Sequence, residues 1–177
     1  MPSADLGART VRPADVEHWF ADLGIAALER ADREGVTSWD LVLDGRRRFD
    51  LRITVILDPD LALICWAHYA PPINDMFRKS YRRLLRWNDE YPFAKFSLAE
   101  DERPVLAVEI PISRANRDEL GTALVRIAAI GDQLLDESRD WLWLGGRVPD
   151  EPERHPRNGA LLDRYAARLP ELLGREP

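Results

Sequence analysis

A chain of 177 residues is long enough to bury one hydrophobic core and too short for two domains of ordinary size. Hydrophobic residues make up 45% and charged residues 32% of the sequence, which is typical of globular proteins and not of disordered ones. The net charge of −6 argues against a nucleic-acid-binding protein, because binding a phosphate backbone needs clustered Lys and Arg over a whole face.

The cysteine content and the N-terminal segment favour a cytoplasmic protein. The single cysteine, Cys65, excludes an internal disulfide and a cysteine-based zinc site. The first residues show no apolar run after a basic head, and nowhere do 18 apolar residues follow one another. We therefore expect neither a secretory signal nor a membrane span.

The first predicted helix begins at Pro13, where the missing N–H costs nothing. Gly24 either ends this helix or only weakens it, because the following residues could continue the helix as far as Gly35. The apolar face of the helix is formed by Val16, Trp19, Phe20 and Leu23.

Three strands are predicted next, from Ser38, over Phe49–Leu57 and over Leu61–Tyr69. Asp44-Gly45 between the first two is typical of a hairpin turn that requires positive φ. The third of these strands is apolar on both sides, which predicts a central strand that is covered on both faces.

A second helix, starting near Pro72, is strongly two-faced, with basic residues collected on the side opposite its apolar stripe. After it, Phe93–Ala99 and Val105–Ile112 read as a hairpin whose second strand turns Ile110 towards the core. Asn116, followed by Glu119, predicts the start of a third helix that extends to about Asp140.

The remaining chain carries Trp141 and Trp143 and then a proline-rich stretch over residues 147–158, which reads as a solvated linker. A last helix is predicted over Gly159–Leu173. The element order α-βββ-α-ββ-α, with links of hairpin length, predicts an α+β fold in which helices pack on an antiparallel sheet of about five strands. We expect one domain over residues 13–144, followed by a linker and tail helix over 145–177.

At this point the sequence resembles a known family. The order of elements, and especially Asn88 followed by Pro92-Phe93-Ala94-Lys95-Phe96, is similar to YbjN-like proteins, whose fold is similar to that of type III secretion chaperones. The likeness covers roughly Val16–Leu135 and is greatest to actinobacterial members that are described as peptide-binding chaperones. The resemblance implies a cytosolic, often dimeric domain that binds a peptide segment of a client protein. A role in regulation or stress responses is a weaker implication.

No motif for acyl transfer, nucleotide binding or hydride transfer is present, so we expect no enzyme activity and no cofactor. The three histidines, His18, His68 and His155, are too scattered to predict a metal site. Asp58 and Asp60 flank a proline, where turn capping is the favoured interpretation. An enzyme whose site is assembled from distant polar residues is the alternative to a binding module.

Two groups of residues are candidates for binding a partner. The first is the basic side of the second helix, which fits an acidic partner but also fits a solvated surface. The second is the tryptophan pair after the third helix, since exposed aromatic residues are enriched at interfaces. The candidate residues are Arg78, Arg82, Arg83, Arg86, Trp141 and Trp143.

Overall fold

The computed structural model describes residues 10–73, 78–139 and 153–174. Within these ranges the helices are α1 Pro13–Asp22, α2 Arg78–Glu90, α3 Arg117–Ser138, α4 Gly159–Arg164 and α5 Leu169–Leu172. The strands are β1 Glu29–Arg33, β2 Val36–Leu43, β3 Leu51–Asp58, β4 Ala62–His68, β5 Lys95–Leu98 and β6 Pro104–Pro111. Single 3-10 turns follow β6 and α4.

The strands form one sheet in the order β1-β2-β3-β4-β6-β5, and every neighbouring pair is antiparallel. The predicted antiparallel α+β fold is therefore confirmed. The sheet contains one strand more than the pattern indicated, because the charged segment Glu29–Arg33 forms an edge strand and not a helix. Glu34 and Gly35 both have positive φ and form the two-residue turn that links β1 to β2.

Gly24 ends the first helix, which decides between the two alternatives that the sequence left open. Its φ is 69°, the N–H of Gly24 donates to the carbonyl of Ala21, and the N–H of Ile25 donates to the carbonyl of Phe20. This pair of bonds is the glycine C-cap that satisfies the last carbonyls of a helix. The chain then leaves α1 and enters the sheet at β1.

The core lies between one face of the sheet and the helices. Ile110 is 4% exposed, as the period-2 pattern predicted, and it shares this face with Cys65 and Val55. α3 packs against β4, β6 and α1. At the β5 side, Trp87 of α2 packs with Tyr69 and Phe96, at ring-centroid distances of 6.2 Å and 5.1 Å. The predicted cap of α3 is confirmed, because the Asn116 side chain accepts from the N–H groups of Asp118 and Glu119.

The predicted hairpin between β2 and β3 is confirmed, but its link is a loop over residues 44–50 and not a tight turn at Asp44-Gly45. The positive φ falls on Asp50, at 58°. Gly45 is needed for another reason, since a Cβ there would lie 2.3 Å from Oδ1 of Asp132 on α3. That carboxylate accepts from the backbone N–H groups of Arg46, Arg47 and Arg48, so it organises the loop from the opposite layer.

The tail is held more tightly than a solvated linker and a single helix. Asn158, at the end of the predicted linker, is buried and exchanges two hydrogen bonds with the backbone of Asp44. The predicted helix over Gly159–Leu173 is divided into α4, a 3-10 turn and α5, because Pro170 lacks the N–H that a continuous helix needs. Its apolar residues Leu161, Leu162, Tyr165 and Leu172 are buried in the core cluster beside α3.

Candidate functional site

The face of the sheet that points away from the core carries no helix among the described residues. We call it the helix-free face. The prediction that β4 is covered on both faces is therefore wrong, because Ile64, Trp66 and His68 on its outward side are only half-buried. The physical reason is that α1, α2 and α3 return to the same side of the sheet, and the tail packs on α3. The residues of this face include Asp40, Thr54, Ile56, Ile64, Trp66, His68 and Ala107.

Trp66 lies at the centre of the helix-free face. It is paired across the sheet with Thr54 on β3 and Ala107 on β6, and Ile56 and Ile64 form the neighbouring row. Its ring lies 5.7 Å from that of His68. Trp66 Nε1 and His68 Nδ1 are buried atoms without a hydrogen-bond partner in the described part of the chain. A buried polar atom of this kind costs free energy until an acceptor or donor reaches it.

Charged side chains border this apolar centre. A cleft of about 440 Å³ is lined by residues that include Asp40, Arg52, His68 and Arg103. Burial lowers the pKa of His68, and the nearby Arg103 lowers it further, which favours the neutral imidazole. The Asp40 carboxylate is engaged by the Thr54 hydroxyl, which donates to it at 2.7 Å. The face thus combines apolar side chains at the centre with both signs of charge at its border.

The two edge strands, β1 and β5, are protected against strand addition. On β1 the outward residues are charged and exposed, which disfavours pairing with another chain. On β5 the amide of Asn88 bonds both backbone groups of Phe96: Nδ2 donates to the carbonyl at 3.1 Å, and Oδ1 accepts from the N–H. Asn88 of α2 therefore occupies the position of a neighbouring strand, which explains why it accompanies the Pro92-Phe93-Ala94-Lys95-Phe96 segment.

Three of the predicted partner-binding residues, Arg82, Arg83 and Arg86, have side chains within the described part of the chain. Arg82 and Arg86 on α2 are exposed, whereas Arg83 pairs with Glu137 of α3 at 3.1 Å and so helps to hold the two helices together. Arg78 begins α2, and its side chain lies outside the described residues. Trp141 and Trp143 also lie outside them. The residue that sequence reasoning missed is Trp66, whose alternating pattern was read as buried on both sides.

The tail is fixed to the β2–β3 loop by a buried carboxylate. Asp44 is 0% exposed and accepts from the guanidinium of Arg154, from the N–H of Arg157 and from the N–H of Asp50. Burial alone would raise the pKa of Asp44, but these hydrogen bonds outweigh it and lower the pKa to about 2. The carboxylate therefore stays charged at neutral pH and pins the start of the tail.

Other candidate groups have structural environments. Cys65 is fully buried, and burial raises the pKa of its thiol to about 12, which leaves it unreactive. Asp58 caps the turn after β3 by accepting from the N–H of Asp60, as predicted. Over residues 10–73, 78–139 and 153–174, no cluster of His, Cys, Asp and Glu is suited to a metal ion. None of the helices within those same ranges is both long and apolar enough to cross a bilayer.

Comparison with known proteins identifies the family. A family model named YbjN, described as "Putative bacterial sensory transduction regulator", matches residues 12–139. The chain belongs to the YbjN family. The matched range runs from the start of α1 to the end of α3, so the YbjN domain contains the whole sheet, and the tail over residues 153–174 follows it. A search of curated proteins gave no significant match.

Proposed function

We propose that this YbjN chain is a non-catalytic protein-binding module that holds a segment of a client protein against its helix-free face. The observation that carries the proposal is Trp66, a half-buried tryptophan beside Ile56 and Ile64 whose Nε1 has no acceptor in the described part of the chain. Tryptophans in such settings dominate the binding energy of many protein interfaces. A client segment laid on this face would cover the exposed part of the Trp66 ring and bury the apolar centre.

Protection of the edge strands β1 and β5 favours the face of the sheet over these two strands as the binding surface for the client. β1 carries exposed charges, and Asn88 already bonds Phe96 on β5. The charged residues around Trp66 supply the polar border that surrounds the apolar centre of a typical interface. A chaperone-like role follows if the client segment is bound before it folds, and a homodimer follows if a second copy occupies the same face.

A regulatory adaptor is the second candidate function. The description of the family as a sensory transduction regulator favours it. An adaptor and a chaperone share the binding step and differ in the client, so both depend on the same surface. A catalytic role for the cleft beside His68 is the remaining alternative. Catalysis there would depend on His68, whereas client binding depends on Trp66.

The proposal is tested by selecting peptides from a random 12-residue phage library on the immobilised protein. Peptides that bind are labelled with fluorescein, and their dissociation constants are measured by anisotropy. We expect Trp66→Ala to weaken binding at least about tenfold, as the loss of an interface anchor does. Leu61→Ala is the matched control, because Leu61 is an exposed apolar residue, at 66%, in the turn before β4.

His68→Ala separates the alternatives, since a binding module should retain peptides when this imidazole is removed. Circular dichroism must show the same spectrum for every variant and the parent chain. A selection that yields no binder would contradict the proposal, and so would peptides that bind Trp66→Ala as well as they bind the parent chain.

A further inference from the structure

A second cleft lies between β6, α3 and the tail. Its volume is about 400 Å³, and we call it the Arg126 cleft. Arg126 of this cleft belongs to α3, and Phe93 belongs to the segment just before β5. The lining residues that matter here are Phe93, Val108, Glu109, Arg114, Arg126 and Arg168.

Arg126 is a buried cation that forms no direct ion pair among the described residues. Arg126 is only 8% exposed, and its Nε donates to the carbonyl of Leu172 at 3.3 Å. Among the described residues, no carboxylate lies within ion-pair distance of it. Burial lowers the pKa of Arg126 and Arg168 lowers it further, whereas Glu171 and Glu119 raise it, and an arginine remains charged in proteins. The Nε–H group forms this hydrogen bond, and the two terminal nitrogens of the guanidinium are left to bind a carboxylate in a bidentate manner.

The acids around the cleft are already engaged with other cations. Arg114 lies 3.6 Å from Glu119, and Arg168 lies 3.4 Å from Glu171. Glu109 pairs with Lys95 at 3.1 Å. Glu119 and Glu171 act on Arg126 from a distance, but each is held by another arginine and neither pairs directly with Arg126. A carboxylate from outside that reached the Arg126 guanidinium would supply the direct pair that none of these glutamates makes.

The cleft also contains an unpaired stretch of strand edge. β5 pairs with β6 only as far as Lys95 opposite Ala107. The carbonyl of Arg103 accepts from Ala99 on the β5 side, so by alternation the backbone N–H and C=O of Glu109 point to that same side. Phe93 would be the next residue to pair with Glu109 in this register.

Phe93 turns away from that position. Its φ is 60°, a conformation that a phenylalanine adopts at a cost, and its side chain is 80% exposed. The ring lies 5.4 Å from the guanidinium of Arg126. The strained residue therefore keeps the edge of β6 open and places an aromatic surface beside the buried cation.

We propose that the Arg126 cleft binds the carboxylate of an extended peptide, whose backbone lies along the open edge of β6 at Glu109. The carboxylate pairs with the Arg126 fork, and an apolar side chain of the peptide packs on Phe93. The carboxylate is supplied either by the C-terminus of the peptide or by an aspartate or glutamate within it. This proposal does not depend on the helix-free face, because Trp66 is not part of the cleft.

The test uses an array of random octapeptides in three forms: with a free C-terminal carboxylate, as C-terminal amides, and as amides that contain one aspartate. Dissociation constants of the strongest binders are then measured by fluorescence anisotropy on the full chain. If peptides with a free C-terminal carboxylate bind more tightly than both kinds of amide, the site binds a C-terminal carboxylate. If amides that contain an aspartate bind as tightly as the free acids, the site binds a side-chain carboxylate. Uncharged amides are expected to bind at least about tenfold more weakly, as the loss of a charge-assisted pair implies.

Arg126→Gln is expected to weaken binding of the acidic peptides at least about tenfold and to leave the uncharged amides unchanged. The matched control is Arg33→Gln, since Arg33 is exposed on β1 and outside the cleft. Phe93→Gly is a second variant that should fold well, because glycine adopts φ of 60° without strain, and it should also weaken peptide binding. Trp66→Ala should leave this binding unchanged, which separates the cleft from the helix-free face.

The proposal is overturned if uncharged amides bind as tightly as the acids, or if the folded Arg126→Gln variant keeps full affinity. The same measurements on a chain that ends at Gly174 address a different occupant, because Gly174 lies close to Pro92, next to Phe93. If only the shortened chain binds acidic peptides, residues 175–177 of the chain itself fill the cleft, and the proposal of an external peptide is wrong.

Discussion

Arg154 contacts Asp44 across 110 positions of sequence, with Nη2 of the arginine 3.0 Å from Oδ1 of a carboxylate that is completely buried. Arg157 and Asn158 add bonds from the same segment. The contact fixes the start of the tail at one end of α3, and the tail then covers the side of α3 that faces away from the sheet. The stability of the tail therefore depends on the charge of the Asp44 carboxylate.

Asp44→Asn should loosen the tail. The amide keeps an acceptor oxygen but loses the charge that faces Arg154, so we expect the free energy of unfolding to fall by about 2 kcal/mol. Hydrogen exchange should rise over residues 158–173 more than over α3. The control is Asp50→Asn, because Asp50 pairs with the same arginines but is exposed, and it should cost less than about 1 kcal/mol. Equal effects of the two changes would contradict a special role of the buried group.

The same carboxylate predicts how stability depends on pH. Its pKa is lowered from the ordinary aspartate value of 3.8 to about 2 in the folded chain. A lowered pKa stabilises the folded state above the unfolded value, and that contribution is lost as the pH falls through the folded value. Urea midpoints of the parent chain should therefore approach those of Asp44→Asn as the pH is lowered from about 4 towards about 2. A constant difference over this range would show that Asp44 does not titrate as stated.

Truncation after Asp140 should expose the side of α3 that the tail covers. Leu161, Leu162, Tyr165 and Leu172 are buried there, so their removal leaves apolar surface in water. We expect increased fluorescence of a hydrophobic dye, together with either greater peptide capture or aggregation on size-exclusion chromatography. A chain that lacks only residues 175–177 is the control. A truncated protein that stays soluble, keeps its oligomeric state and binds no dye would show that the tail is dispensable.

Gly45→Ala should disrupt the β2–β3 loop. The new Cβ would lie 2.3 Å from Oδ1 of Asp132, and moving Asp132 breaks its bonds to three backbone N–H groups. We expect a loss of about 2 kcal/mol by urea unfolding. Gly159→Ala is the control, since no heavy atom lies within 4 Å of a Cβ built there. In a double-mutant cycle with Asp132→Ala, additive effects would show that the two residues are not coupled.

Ile110→Asp should unfold the domain. Ile110 is 4% exposed in the core, and an unpaired buried carboxylate costs several kcal/mol, on the order of the whole stability of a domain. Far-ultraviolet circular dichroism should lose its helical signal. Leu61→Asp provides the comparison, because Leu61 is 66% exposed, and it should melt within a few degrees of the parent chain. A folded Ile110→Asp variant would contradict the assignment of this face to the core.

Residue periodicity and local capping rules determined most of the layer architecture. The alternation around Ile110, the cap formed by Asn116 and the turn at Asp58 depend on neighbours within a few positions, and each was predicted correctly. Strand β1 was missed because Glu29–Arg33 is charged on both sides and has no apolar period. Its place at the sheet edge, where charge is tolerated, is decided by pairing with β2.

Tertiary structure alone decided where the candidate sites lie. Trp66 reads as a core residue in its apolar strand, and it is only half-buried because no described helix packs on that face. Arg126 reads as one more charge on a helix, and it becomes a buried cation only because the tail and Phe93 cover it. Local patterns record which face of an element is apolar. The burial and charge balance of a side chain are set by segments far away in sequence, and these contacts form only when the chain is folded.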